Sequence, residues 1–191
     1  MFRRTDCHFA LPRSGAEAAA EPRHNEYVPR ETDRISAKHG RVYLDVERPR
    51  VCIRGAEDAP AADLGYPWLA DDATFPFYEL RSAAMDLRGV FTLLEPFGEE
   101  HRAEARRRIH AQLATLTEHG VRHVVLSAFG CGAFCNPAPE IAALYREAIT
   151  ERRSDFDVVA FAIFHAGYGP DNFAPFHQVF EGFNESTSAP S

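Results

Sequence analysis

The chain has 191 residues, 45% of them apolar, and a formal net charge of −7. That length suits one domain with a real core, and the acidic balance argues against non-specific binding to nucleic acid or to a membrane surface. No apolar run approaches the roughly 18 residues of a membrane span, and Met1-Phe2-Arg3-Arg4 is not followed by the apolar core of a signal peptide.

Residues 1–38 are rich in Arg, Glu, Ala, Pro and Ser without a sustained apolar period. They read as an N-terminal arm, either poorly ordered or wrapped on the surface of a folded domain spanning 39–184. Residues 185–191 read as a polar tail. Within the domain, Arg41-Val42-Tyr43-Leu44-Asp45-Val46 alternates as a strand does, and Val51-Cys52-Ile53-Arg54 reads as a second short strand. A loop-rich stretch from Gly55 to Thr74 carries Asp58, Asp63, Asp71 and Asp72 around Tyr66-Pro67-Trp68-Leu69. Phe75 to Leu80 reads as a strand running into Arg81-Ser82-Ala83-Ala84-Met85-Asp86.

The spacing of Ala105, Ile109, Leu113 and Leu116 predicts a helix from Glu99 to His119, closed by Gly120. A strand from Arg122 to Ala128 follows. Ser127-Ala128-Phe129-Gly130-Cys131-Gly132-Ala133-Phe134-Cys135-Asn136-Pro137 then forms a glycine loop leading into a helix over about Pro139 to Arg153. Val158 to Phe164 is a continuous apolar run with the character of a strand buried on both faces. A last helix is expected from Asp171 to Phe183. This alternation predicts an α/β fold with a mostly parallel, mixed sheet and helices on both faces. Ligands of such sheets lie beyond the carboxyl ends of the strands. Three segments meet there: Ser82 to Asp86, Phe129 to Asn136, and His165 to Asn172.

The glycine loop carries the functional reading. Two glycines around one small residue bring backbone N–H groups close to a ligand, and the following helix N-terminus adds a partial positive charge. Together they suit a phosphate or diphosphate. Phe129 and Phe134 are placed to stack on a base or cover a ribose, with core packing as the other role open to Phe129. Tyr168 and Asn172 suit the far end of a nucleotide pocket. Asn172 is equally suited to a helix N-cap.

These residues resemble a family. The loop Phe129-Gly130-Cys131-Gly132-Ala133-Phe134-Cys135-Asn136-Pro137, the following helix and strand, and Asn172 with Phe176 are similar to microbial-type poly(ADP-ribose) glycohydrolases. The resemblance covers roughly residues 40 to 183. It implies a macro-domain-like three-layer α/β/α fold, and a site in which Ser127, Phe129, Gly130, Cys131, Gly132, Ala133, Phe134, Asn136, Tyr168 and Asn172 bind ADP-ribose. Asp86 stands where Asn is usual in that family. The family's Gly-Gly-Gly and Gln-Glu-Glu catalytic runs have no counterpart in this sequence. The resemblance thus implies an ADP-ribosylhydrolase whose catalytic glutamate cannot be transferred. Its partners would be ADP-ribose or ADP-ribosylated protein, with no separate cofactor.

Breaking an ADP-ribosyl bond needs stabilisation of an oxocarbenium-like centre and a base for water, roles that carboxylates fill. Asp71, Asp72 and Asp86 lie in loops near strand ends and are the candidates. Macro-domain-type hydrolases of ADP-ribosyl-arginine resemble this arrangement in using aspartates. Two other classes stay open. One is a binding module that holds ADP-ribose without cleaving it. The other is a cysteine hydrolase, with Cys131 at a strand-to-helix turn as nucleophile and His165 as base. A metal at Cys131 and Cys135 with His123 or His165 would need further convergent ligands, so no metal is expected. Cys7, Cys52, Cys131 and Cys135 are too few and scattered for a disulfide scaffold and read as reduced thiols in a cytoplasmic protein, with an exported effector still open.

Overall fold

The computed structural model describes residues 5, 33–47, 49–56, 65–89, 97–165, 167 and 169–183. Most of residues 1–38, the tail 185–191, Asp58, Asp63 and Tyr168 lie outside that set. The chain forms two compact units, one of residues 1–31 and 44–81, the other of residues 32–43 and 82–191. The elements in chain order are β1 (Tyr43–Leu44), β2 (Arg50–Cys52), a 3₁₀ turn (Asp71–Ala73), β3 (Phe75–Phe77), β4 (Leu80–Arg81), α1 (Glu99–Glu118), β5 (His123–Leu126), α2 (Ala138–Glu151), β6 (Val158–Phe161) and α3 (Phe173–Phe180). The fold is mixed α/β with both parallel and antiparallel pairing.

The first unit is built on an antiparallel pair, β2 against β3, with Val51 opposite Pro76. The single strand expected from Phe75 to Leu80 is instead divided between β3 and β4. The reason lies at Glu79, which is 6% exposed and takes ion pairs from Arg50 (3.1 Å) and Arg81 (2.9 Å). A carboxylate taken out of water must be paired, and turning Glu79 inward between two arginines interrupts the ladder.

The second unit holds the helices. α1 starts at Glu99 and Glu100, whose acidic side chains suit the positive end of the helix dipole. It stops where Gly120 takes a positive φ of 66°. The Gly120 and Val121 N–H groups donate to the Thr117 and Leu116 carbonyls, closing the last turn. The predicted face of Ala105, Ile109, Leu113 and Leu116 is buried. So is the α2 face of Ile141, Leu144, Tyr145, Ala148 and Ile149. Arg106 donates to both oxygens of Glu147 across the two helices, and Arg102 pairs with Glu140.

β5 and β6 pair in parallel, Val124 beside Val159. One side of β6 is packed: Phe161 meets Tyr145, Phe176 and Phe180 with ring centroids 4.9–5.3 Å apart. Among the described residues, nothing packs on the other side. Val125 is 71% exposed, Val158 49% and Phe164 89%. The expectation of a strand buried on both faces is therefore corrected. The run is apolar throughout, but α2 and α3 cover only the side that carries Phe161.

α1 also fixes the segment that leads to the site. Glu104 accepts hydrogen bonds from Arg107 and Arg108. Arg108 donates on to the Ala83 carbonyl at 2.7 Å, and Arg107 to the Ser36 and Ala37 carbonyls. The Ala83 N–H donates to the Ile35 carbonyl. Hydrogen bonding from Arg107, reinforced by Arg108, holds the Glu104 carboxyl down to about 2 against an ordinary 4.5. A depressed carboxyl stabilises the fold above its unfolded value and loses that contribution as pH falls toward 2. Glu104→Gln is expected to lower stability by about 1 kcal/mol at neutral pH, a figure discounted for partial solvent screening. The gap from wild type should close as pH approaches 2, which urea unfolding across that range measures.

Candidate functional site

The site is built where three segments of the second unit come together. Ser82 to Leu87 follows β4, the glycine loop joins β5 to α2, and Asp171-Asn172 opens α3. The first two touch along their backbones. The Leu87 N–H donates to the Phe134 carbonyl at 3.0 Å. The Asn136 side chain, 4% exposed, donates its Nδ2 to the carbonyls of Met85 (2.8 Å), Gly130 (3.1 Å) and Phe134 (3.3 Å). The third segment reaches the loop where Asn172 Nδ2 donates to the Cys131 carbonyl at 3.4 Å. Capping of α3 falls to Asp171, whose Oδ1 accepts from the Phe173 and Ala174 N–H groups.

Gly130 makes the meeting possible. Its φ is 75°, and a Cβ placed there would lie 2.5 Å from both the Ala84 Cβ and the Asn136 Nδ2. Gly132 differs, since a Cβ there would meet nothing within 4 Å. The loop's internal hydrogen bonds use the N–H groups of Cys131, Cys135 and Asn136, which donate to the carbonyls of Ala128, Gly132 and Gly130. Among the described residues, the N–H groups of Gly132, Ala133 and Phe134 donate to no protein acceptor. α2 begins directly after, with Pro137 as N-cap, no side-chain cap, and a proline in its first turn. Three successive N–H groups without a protein acceptor, followed by a helix N-terminus with no side-chain cap, leave partial positive charge at this turn.

The predicted chemistry-bearing residues fall in different places. Asp86 lies at the rim of the loop. Its two carboxylate oxygens are gripped by Arg88, at 2.8 and 2.5 Å. That side-chain hydrogen bonding holds the Asp86 carboxyl at about 2. The carboxylate is thus ionised across the physiological range, fit to stabilise positive charge rather than to donate a proton. Asp71 and Asp72 are exposed on the 3₁₀ turn of the first unit. Ser127 and Gly132 are exposed, while Phe129, Gly130 and Phe134 are half-buried.

Cys131 is 5% exposed, and burial pushes its thiol up to about 12. Its Sγ–H donates to the Phe129 carbonyl at 3.7 Å, and no hydrogen bond joins it to His165. A thiol that stays protonated at neutral pH is a poor nucleophile, so the cysteine-hydrolase reading fails on burial. Among the described residues, no cluster of possible metal ligands includes Cys131 or Cys135.

Sequence reasoning missed Arg88. Its guanidinium carbon lies 5.5 Å from the centroid of the Phe134 ring. The available signal was the Asp86-x-Arg88-Gly89 spacing, which puts a cation beside an acid in a tight turn. Asn136 was expected to bind ligand, but its amide nitrogen is spent within the protein.

The class that the structure defines is a mixed α/β fold with a glycine loop between β5 and α2. No protein-family model matches the chain, and no curated protein matches it. Solved structures do. Poly(ADP-ribose) glycohydrolase from Deinococcus radiodurans, in complex with ADP-ribose, aligns with a TM-score of 0.55 and 22% identity, over 71% of this chain and 53% of its own. Poly(ADP-ribose) glycohydrolase from Thermomonospora curvata aligns with a TM-score of 0.53 and 25% identity, over 69% of this chain and 47% of its own. The chain therefore has a poly(ADP-ribose) glycohydrolase-like fold, as its glycine loop implied, and it spans about half the length of the structures it matches. Among the described residues, no helix is long and apolar enough to cross a membrane.

The two glycines should respond differently to alanine. Gly130→Ala combines a left-handed backbone with overpacking and should cost about 2–4 kcal/mol of unfolding free energy. Gly132→Ala should change it by less than about 1 kcal/mol. Thermal or urea unfolding of the two variants measures the contrast.

Proposed function

We propose that this protein is an ADP-ribosylhydrolase: it binds ADP-ribose through the Phe129–Asn136 loop and cleaves the glycosidic bond that links ADP-ribose to a modified protein, ADP-ribosyl-arginine being the first linkage to assay. The observation that carries this reading is the run of open amides at Gly132, Ala133 and Phe134 ahead of α2, in a fold shared with glycohydrolases. The amides and the helix dipole would hold the diphosphate. Phe129 and Phe134 would flank the sugar or base, with Ser127 at the strand end. Asn172 would close the far side, and Asn136 would act from beneath by fixing the loop.

Cleavage then needs a negative charge near the anomeric carbon. Asp86 is ionised and at the loop's rim, which suits stabilisation of an oxocarbenium-like centre. A carboxyl titrating near 2 is a weak base, so in this scheme Asp86 acts through its charge and a different group activates the water. The three free cysteines among the described residues, Cys52, Cys131 and Cys135, support action in the reducing cytoplasm.

A binding module without turnover is the second reading, favoured by the Arg88 grip on Asp86 and by the absence of a Gln-Glu-Glu run. Calorimetry with ADP-ribose, followed by turnover on ADP-ribosylated protein, separates the two. Binding with turnover is expected; binding alone identifies the module, and no binding overturns both. Asp86→Ala should reduce turnover by at least 10-fold while the protein remains folded, and undiminished turnover removes Asp86 from the mechanism. Gly132→Val should weaken ADP-ribose binding by at least 10-fold at unchanged stability, because its side chain would occupy the open side of the loop.

A further inference from the structure

Arg88 is a cation at the loop's aromatic rim, its guanidinium carbon 5.5 Å from the Phe134 ring centroid. Its backbone is pinned there: Leu87, 4% exposed, donates its N–H to the Phe134 carbonyl. From that anchor the Arg88 side chain runs out over the Phe134 ring and pairs with Asp86. Both members of the pair are open to water, with the Arg88 side chain 62% exposed and that of Asp86 46%. An exposed ion pair is readily exchanged. A guanidinium fork fits a phosphate as well as it fits a carboxylate, and a diphosphate offers it more charge.

We propose that Arg88 is a ligand-binding residue that exchanges the Asp86 carboxylate for a phosphate of the diphosphate held on the Gly132–Phe134 amides. The proposal rests on the diphosphate reading of the loop. Asp86 then has a second effect besides its charge: it competes with the ligand for Arg88, and ligand entry releases its carboxylate. The two residues of one ion pair should therefore act on affinity with opposite sign, which a purely structural pair would not produce.

The test measures dissociation constants for ADP-ribose and for inorganic pyrophosphate with the full chain, comparing wild type, Arg88→Gln, Arg88→Lys and Asp86→Asn. Circular dichroism confirms that each exposed-site variant is folded. Arg88→Gln should weaken both ligands by about 10-fold, and Arg88→Lys should recover part of the loss as a point charge without the fork. Asp86→Asn should tighten both by about 3-fold. Wild-type binding that Arg88→Gln leaves unchanged overturns the proposal. An Asp86→Asn variant that binds more weakly overturns the exchange, since Asp86 would then touch the ligand. Pyrophosphate binding without ADP-ribose binding overturns the ADP-ribose reading and leaves Arg88 to be judged on pyrophosphate alone. Failure of wild type to bind either ligand overturns both.

Discussion

The site depends on the close approach of two backbones, at Gly130 and at Ala84. The space between them is too small for a Cβ, and the Asn136 amide fills what remains by donating to three carbonyls from two segments. Buried carbonyls need donors, and a single side-chain amide that serves three of them couples the loop to the strand end. This coupling sets where Phe134 lies, which amides are used within the loop, and which are left facing outward. The strand end is held in turn from the helix side, by Arg108 on the Ala83 carbonyl and by Gln112, which donates to Ser82 and accepts from Tyr145. Deep core and loop are thus connected through a short series of hydrogen bonds.

The electrostatics of the site follow from exposure. Cys131 is inside and keeps its proton. Asp86 is outside, beside an arginine, and loses its own. Two groups within one small region are driven in opposite directions by burial and by a charged neighbour. The result is a loop with a fixed negative charge at its rim and a protonated thiol buried beneath it.

The helices were legible in the sequence because each repeats an apolar position over several turns: Ala105 to Leu116 in α1 and Ile141 to Ile149 in α2 lie on the faces their spacing predicts. The glycine loop was legible because strand, glycines and helix follow one another without interruption. The strands were less so. Their lengths are set by partners distant in sequence, as Glu79 shows by turning inward to Arg50 and dividing a run that reads as one strand on paper. The exposed side of β6 was hidden for a related reason, because hydrophobicity reports what a residue would prefer and not whether a neighbour exists to cover it. Arg88 and the inward turn of Asn136 depend on the fold of a loop around a side chain, which no periodicity encodes.

The uncovered side of the β5–β6 pair has a colloidal consequence. Val125, Val158 and Phe164 present apolar surface to water on a parallel pair, a kind of sheet normally covered on both sides. Mutual repulsion from a net charge of −7 opposes self-association through such a surface at neutral pH. The repulsion vanishes near the isoelectric point of about 5.7, only slightly on the acid side of neutrality. Mild acidification therefore lowers the barrier between exposed faces while leaving Asp86 ionised, so self-association is expected to rise at a pH where that charge is still intact.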